Sequence, residues 1–525
     1  MTDMWEQRLG VWWIAQDHPE TLAILDSPEG QFTYAELAGS AHQLVHTFRS
    51  LGLAPGAIIA VMAPNGVTPI QVALASQEGG YSFILVNSYL TPDETVTMLE
   101  HADAAALVLH ERHIDLLDGE TGARIKNISQ VLGVGASFAA GAVEGVKSLD
   151  ELRATQPITE PEDRLEGTMI AYSSGTTGKP KGIRRPKVGG GPSEALNSAA
   201  VFGRAFGYTP FDGPQLVSTA MYHGGSYAYY MGALNVGHAL IIMPKFDAEG
   251  TLAMIDKYKV RTAYMVATQF HRLLQLPEAV KAKYDMSSLA VVAHSAAPCP
   301  RAIKQRMFDW WGPVIWETYG GMEGAATIAK PQRWLEKPGT VGRAVAGVRI
   351  SIRDDNGDEL PAGESGNIYY ETRDDFTYHR DEALTKQAHV GKQFTIGDIG
   401  YLDADGYLFI MDRAKDMIIS GGVNIFPAEI EAVLLDHPAV SDVAVVGIPD
   451  DEWGESVLAV VELRAGQTAS PDMAATLLAH CAEHLAAYKR PKRLEFRDSL
   501  PRTDAGKLYK RQIRDEFWKA AGRQI

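Results

Sequence analysis

Between residues 57 and 297, short apolar runs alternate with helix-like stretches. AIIAVMAP (57–64) is rich in β-formers and ends at Pro-Asn-Gly; the helix-like PIQVALASQEG (69–79) follows. FILVN (83–87) and AALVLH (105–110) predict two further strands. HALIIMP (238–244), the helical TLAMIDKYK (251–259), TAYMVA (262–267) and LAVVAHSAA (289–297) repeat the scheme. Such alternation predicts parallel sheets covered by helices.

The texture changes after about residue 340. VRISIRDDNGDELPAGESGNIYYET holds a DNG turn between alternating runs, and GYLDADGYLFIMD places two short strands around Asp405-Gly406. Both are hairpin signals and predict a small antiparallel or barrel-like region. After Asp412 the pattern starts again, with an amphipathic helix (428–438), strands at 440–450 and 457–464, and a second helix (473–486). The expected fold class is therefore α/β. A large domain of α/β subdomains with a barrel-like subdomain spans 1–412, and a small α+β domain spans 413–525.

Composition narrows the classes. A chain of 525 residues is too long for one compact core. A net charge of −16 argues against non-specific nucleic-acid binding, which needs a basic face. Two cysteines, Cys299 and Cys481, make neither a disulfide framework nor a metal cluster. They suit a reducing compartment, and the cytoplasm is the expected location. The first residues lack the basic and apolar regions of a signal peptide, and the last three are not a Ser-Lys-Leu signal. Two uncharged stretches, 50–77 and 213–244, are broken by Pro, Gly, Asn and His before they reach ~20 apolar residues in series, so no transmembrane segment is expected.

The densest chemistry lies in SSGTTGKPKG, residues 173–182, which follows the strand-like Met169-Ile170-Ala171-Tyr172. Its glycines let backbone N–H groups converge, its hydroxyls donate, and Lys179 and Lys181 add charge. A polyphosphate is the natural ligand. The Walker pattern fails because Gly175 and Gly178 are too close and Pro180 follows Lys179.

YSSGTTGKPKG resembles the phosphate-loop motif of the adenylate-forming superfamily, which includes acyl-CoA synthetases, peptide-synthetase adenylation domains and firefly luciferase. TYGGMEG (318–324), TIGDIGYLDADGYLFIMDRAKDMIISGGVNIFPAEIE (395–431) and PRTDAGKLYKRQIRD (501–515) resemble three further motifs of that family, in its order. The resemblance covers nearly the whole chain. It implies an acyl-CoA synthetase: ATP and a carboxylic acid give acyl-AMP and pyrophosphate, then coenzyme A takes the acyl group.

The resemblance also implies roles. Ser174, Thr176, Thr177, Gly178 and Lys179 would hold ATP phosphates, and Glu323 would bind Mg²⁺ as a hard oxygen ligand. Asp398 would accept from the ribose hydroxyls and Arg413 would contact the ribose. Tyr319, with Gly320 and Gly321, would lie near the adenine, as would the Ala296-Ala297-Pro298 turn. Lys507 would bridge carboxylate and α-phosphate as charge gathers. Lys415 would be the hinge of a mobile C-terminal domain, and Gly421 and Gly422 would line the coenzyme A channel. Apart from the resemblance, the basic run 488–493 offers charge for coenzyme A phosphates, with a solvated face as the commoner use of such a run.

One position departs from the family. Met322 stands where a threonine is usual, and a thioether cannot donate to the α-phosphate. Either Gly321 shifts the backbone to compensate, or the nucleotide loses a contact.

The acid pocket is expected around His223, Gly224, Gly225, Tyr227 and Glu317. Its small residues leave room, and no charged group in MYHGGSYAYYMGAL would pair with an amino group. A fatty, aryl-alkenoic or bulky polycyclic acid fits, and RWLEKPGTVGR (333–343) is similar to a form found in synthetases for bulky acids. The expected partners are therefore small molecules (acid, ATP and coenzyme A), and a homodimer is compatible with them. Three other readings stand beside this one: an acyl-AMP ligase loading a carrier-protein thiol, a luciferase-like oxygenase, and a nucleotide-binding regulator without catalysis.

Overall fold

The computed structural model describes residues 4–139, 142–174, 180–297, 299–324, 326–373, 375–421, 423–502 and 508–521. Four sheets organise them. In the first, Ile58–Met62 lies parallel between Ser82–Leu85 and Ala106–His110, with Thr168–Ser174 beyond Ser82–Leu85. Ile58–Met62 is buried at all its positions, as a strand covered on both faces must be. Helix Val67–Gly79 follows it, as the sequence pattern predicts.

The second sheet is built from Gln215–Val217, Leu240–Ile242, Thr262–Met265, Val291–His294 and Ile315–Gly320, all parallel. The run TAYMVA ends its strand at Met265. The Val266 N–H donates to Gln269 Oε1 at 3.2 Å, which caps helix Ala267–Leu274 and turns the chain out of the sheet. The N-terminal strand Leu22–Asp26 joins this sheet in parallel beside Leu240–Ile242, a pairing with no local signal in the sequence.

The third sheet is antiparallel. Val348–Arg353 pairs with Gly366–Thr372, and Asp398–Leu402 pairs with Leu408–Arg413 around the Asp405-Gly406 turn. In the DNG turn, Asp354 Oδ1 accepts from the backbone N–H of Asn356 and Asp358, at 2.9 and 2.8 Å. The small core here is half aromatic, with Tyr370, Phe376, Tyr378 and Phe394 beside Ile183, Ile352, Ile368 and Leu408.

The fourth sheet pairs Val440–Asp450 with Gly454–Leu463 and adds the hairpin Ile418–Ser420/Val423–Ile425. Helices Pro427–Asp436 and Pro471–His484 supply Ile430, Leu434, Leu477 and Cys481 to its core, and Lys510–Ala520 supplies Ile513 to a second cluster. The chain passes from the third sheet to the fourth through residues 414–417, which include Lys415. Among the described residues, no helix is long and apolar enough to cross a membrane.

Candidate active site

Strand Thr168–Ser174 turns into Pro180–Arg184 as an antiparallel pair, with Ser174 opposite Pro180. The segment 175–179, with Thr176, Thr177, Gly178 and Lys179, lies outside the described residues, as does the Ser174 side chain. The partner on the far side of Pro180–Arg184 is the two-residue strand Thr377–Tyr378. That pairing delivers Tyr378 to the site. Its hydroxyl donates to Glu323 Oε1 at 3.0 Å, and Lys181 Nζ sits 3.8 Å from the centre of its ring. Burial holds the Lys181 pKa below the usual lysine value, against the attraction of Glu323.

Glu323 is 8% exposed. Among the described residues, no lysine or arginine lies within ion-pair distance of it. A side chain at Gly321 would meet Glu323 Oε2 and push the carboxylate out of this position. Among the described residues it is thus a buried carboxylate oriented by one hydroxyl and without an ion-pair partner, the donor type a hard divalent cation takes.

Asp398 begins the strand Asp398–Leu402 and is 2% exposed. Tyr319 donates its hydroxyl to Asp398 Oδ2, and Arg413 Nε lies 2.8 Å from Oδ1. Burial, followed by the neighbouring Tyr370 and Asp398, pushes the Tyr319 pKa well above its ordinary value and keeps it a donor. The register that pairs Asp398 with Arg413 therefore also places the two predicted ribose contacts side by side. Gly320, at the end of Ile315–Gly320, pairs with Ala326.

A cleft of about 1500 Å³ opens beside these groups. Ala296, Met322, His223, Gly224 and Gly225 all line it. Ala296 has φ of 73°, a left-handed conformation that costs a non-glycine residue roughly 1–2 kcal/mol. Strain of this kind gathers at sites where the backbone is aimed at a ligand. Neighbouring Ala297 is half-buried, and Pro298 lies outside the described residues.

The loop before His223 is pinned by Asn65, a residue the sequence pattern marks only as a strand breaker. Asn65 Nδ2 donates to the Thr219 and Met243 carbonyls at 2.9 and 3.0 Å, and Oδ1 accepts from the Met221 N–H at 2.9 Å. Helix Gly224–Asn235 then starts directly after His223. A Cβ at Gly224 would stand 2.8 Å from Met322 Sδ. The Met322 thioether thus packs onto the first turn of this helix, and a side chain at 224 would require it to move.

Two predicted pocket residues stand elsewhere. Tyr227 packs on Phe83 and Tyr230, with ring centres 5.6 and 5.5 Å away, and is not among the cleft's lining. Glu317 is also absent from the lining and is tied into a buried ion pair with Lys304, with His294 Nδ1 donating at 3.0 Å to the same oxygen. Burial opposes its ionisation, but Lys304 and His294 outweigh that and hold its pKa below the usual glutamate value.

Lys507 falls within 503–507, outside the described residues. Its described neighbours Arg502 and Tyr509 line the same cleft. Gly421, at φ 57°, lies against the Trp453 ring and not on the cleft, and Gly422 is outside the described residues. The Lys415 carbonyl accepts from Arg514 at 3.0 Å. In the basic run, Lys489 pairs with Glu429 at 2.7 Å and Lys492 covers the Trp453 ring at 4.9 Å.

The chain is similar to known enzymes along most of its length. A family model described as AMP-binding enzyme matches residues 11–374, and one described as AMP-binding enzyme C-terminal domain matches 429–507. A 2-succinylbenzoate–CoA ligase of Geobacillus kaustophilus is 32% identical, over 94% of this chain and 95% of that protein. A fatty acid–[acyl-carrier-protein] ligase of Streptomyces coeruleorubidus is 30% identical, over 97% of this chain and 96% of that one. The solved o-succinylbenzoate CoA synthetase of Bacillus subtilis, in complex with an acyl-adenylate intermediate, superposes with a TM-score of 0.81. It is 26% identical, and the match covers 97% of this chain and 98% of that one.

Proposed function

The chain belongs to the AMP-binding enzyme family, an adenylate-forming acid–thiol ligase by that membership, and we propose how its own residues divide the reaction. The observation that carries the reading is the packing of Met322, the chain neighbour of Glu323, against Gly224 at one wall of the cleft. It sets the Glu323 carboxylate, suited to a nucleotide's cation, one residue from the wall shared with the helix that begins the acid pocket.

In the first step the carboxylate oxygen attacks the α-phosphorus of ATP and pyrophosphate leaves. Anions are brought together, so the site must offset their repulsion. Glu323, held by Tyr378, is the residue that would hold Mg²⁺, which neutralises phosphate charge when bound. Lys181 adds a half-buried cation on the same side. Thr176, Thr177, Gly178 and Lys179 would hold the phosphates, and Lys507 would bridge the carboxylate and α-phosphate. Asp398, aimed by Tyr319 and Arg413, takes the ribose. The Ala296 turn borders the adenine.

In the second step the thiol attacks the acyl carbon and AMP leaves. The domain boundary lies at 412/413, and the small domain turns about Lys415, withdrawing Lys507 and presenting Gly421 and Gly422. The sheet change at 414–417 supports a joint there. The cleft lining by Arg502 and Tyr509, with Gly421 away from it, supports the adenylation orientation for the arrangement described.

Coenzyme A is the thiol in this reading, and the acid is aryl or fatty. The cleft's size and the lining by Tyr222, Tyr264 and His223 suit an apolar, ring-bearing acid. The carrier-protein ligase among the relatives keeps a carrier thiol as the second reading. Discharge of acyl-AMP by coenzyme A alone, against discharge only by a thiol-bearing carrier protein, separates the two. The free cysteines fit a cytoplasmic location.

The test is a pair of single-turnover assays, one started from ATP and acid, the other from synthetic acyl-AMP and coenzyme A. Lys507→Ala is expected to lose the first and keep the second. Lys415→Pro, whose fixed φ resists the turn, is expected to accumulate acyl-AMP. Parallel loss of both half-reactions in both folded variants sinks the two-orientation reading.

A further inference from the structure

Helix Pro471–His484 buries Leu477 and Cys481 and carries His480, Glu483 and His484 along an adjacent stripe, at i, i+3 and i+4. One ligand atom of each lies within 4.8 Å of the other two. The two imidazole centres are 4.5 Å apart. None of the three lines the cleft, and none has a role in the reaction derived above.

The hydrogen bonds around the rings decide which nitrogens are available. His480 Nε2 is 3.0 Å from the Val433 carbonyl on the neighbouring helix Pro427–Asp436. His484 Nδ1 is 2.8 Å from the His480 carbonyl. A carbonyl only accepts, so both nitrogens carry protons. His480 Nδ1 and His484 Nε2 therefore keep their lone pairs. A histidine whose second nitrogen donates to a backbone carbonyl is oriented and made more basic as a metal ligand. The third ring nearby, His437, is 5.2 Å from His480. Its Nδ1 accepts from the Ala439 N–H, so its proton is on Nε2 and it offers no lone pair to the group. Glu483 is exposed, and among the described residues no lysine or arginine lies within ion-pair distance of it.

We propose that His480, Glu483 and His484 form a surface site for a borderline divalent transition-metal ion, with Zn²⁺ the best fit. Two imidazoles and one carboxylate are the donors that ion takes, with water completing the shell. Bonds of about 2.0–2.2 Å place tetrahedral ligands roughly 3.4 Å apart. The exposed Glu483 and His484 side chains close that gap by rotation, while His480 stays fixed on Val433. The ion then braces helix 471–484 at its C-terminal turn, next to helix 427–436. This site is independent of Glu323 and of the nucleotide chemistry.

The test is calorimetric titration of the untagged, chelator-treated full chain with ZnCl₂, in a non-coordinating buffer with saturating Mg²⁺ so that Glu323 does not compete. One saturable site is expected. Its affinity falls at least tenfold in Glu483→Gln and in His484→Ala, both exposed changes that leave the fold intact. It is unchanged in Glu323→Gln and in His437→Ala. Thermal unfolding of the wild type, but not of His484→Ala, shifts upward with Zn²⁺. Absence of a saturable site in the wild type overturns the proposal, and so does equal affinity in Glu483→Gln or His484→Ala.

Discussion

Glu317 and Glu323 sit on and just beyond one strand, Ile315–Gly320, and are equally hidden, at 7% and 8% exposure. Their surroundings are opposite. Glu317 shares one oxygen with Lys304 and His294, and Lys304 in turn lies 4.7 Å from the centre of the Trp334 ring. Glu323 receives one tyrosine hydroxyl and no described ion-pair partner. A buried charge is tolerated only when paired, hydrogen-bonded or bound to a metal. The first acid has its cation within the fold. The second has none among the described residues, which is what the proposed magnesium role requires. Equal burial thus hides two different states of compensation.

The largest effect should come from breaking the closed pair. Glu317→Gln leaves the Lys304 charge buried without its partner and should lower stability by about 3–5 kcal/mol. Chemical denaturation measures it. Because the Glu317 pKa is depressed in the fold, its contribution is fully present above the unfolded value of ~4.3 and is lost as pH falls through the lower folded value. The gap between wild type and variant should narrow on acidification below about pH 4.3. A variant of normal stability but raised KM for the acid would place Glu317 on the substrate and dissolve the contrast.

Glu323→Gln should behave in the opposite way. Stability should change little, and adenylation should fall about 10²–10³-fold, the scale of losing one preorganised electrostatic group. Added Mg²⁺ should recover part of the rate. Normal magnesium dependence, read by pyrophosphate release, would mean that the metal is held elsewhere.

Asp398→Ala sits between these extremes. Loss of a charged acceptor is worth about 1.5–3 kcal/mol, or roughly a 10- to 150-fold weaker ATP affinity. Calorimetry reads it, and an unchanged affinity removes Asp398 from the ribose. Met322→Thr should have the smallest effect. A restored hydroxyl should lower KM for ATP by about 2- to 12-fold, the range of one neutral hydrogen bond. It also vacates the space over Gly224, so Gly224→Ala should be tolerated better in the threonine background than alone. Equal damage in both backgrounds would show that the two residues do not share a wall.

Much of the candidate site is legible in the sequence because its motifs are local. Glu323, Asp398 and Arg413 lie within a few residues of their signatures, and the Asp398–Arg413 pairing follows from a hairpin visible around Asp405-Gly406. Tyr378 is not legible. It reaches Glu323 only because Thr377–Tyr378 pairs with Pro180–Arg184, nearly two hundred positions earlier, and two residues give no periodicity to read. Lys304 is hidden for a related reason. It lies inside helix Arg301–Trp311, and its partner is known only once Ile315–Gly320 is placed. His294 lies on the predicted segment 289–297, but its place opposite Glu317 is hidden because register between parallel strands is not written locally. In the core the long apolar runs announce themselves, whereas Leu22–Asp26 finds its sheet only through Leu240–Ile242.

That last pairing has a consequence in time. Ribosomes add about 5–20 residues per second, so roughly 10–45 s separate the emergence of the strand at residue 22 from that of its neighbour at residue 240. Throughout that interval an apolar strand waits with an unpaired edge, the feature that recruits wrong partners. The newborn chain thus passes through a vulnerable window fixed by topology rather than by the strength of any contact. Slowing translation between these two points would lengthen the window without altering a single residue.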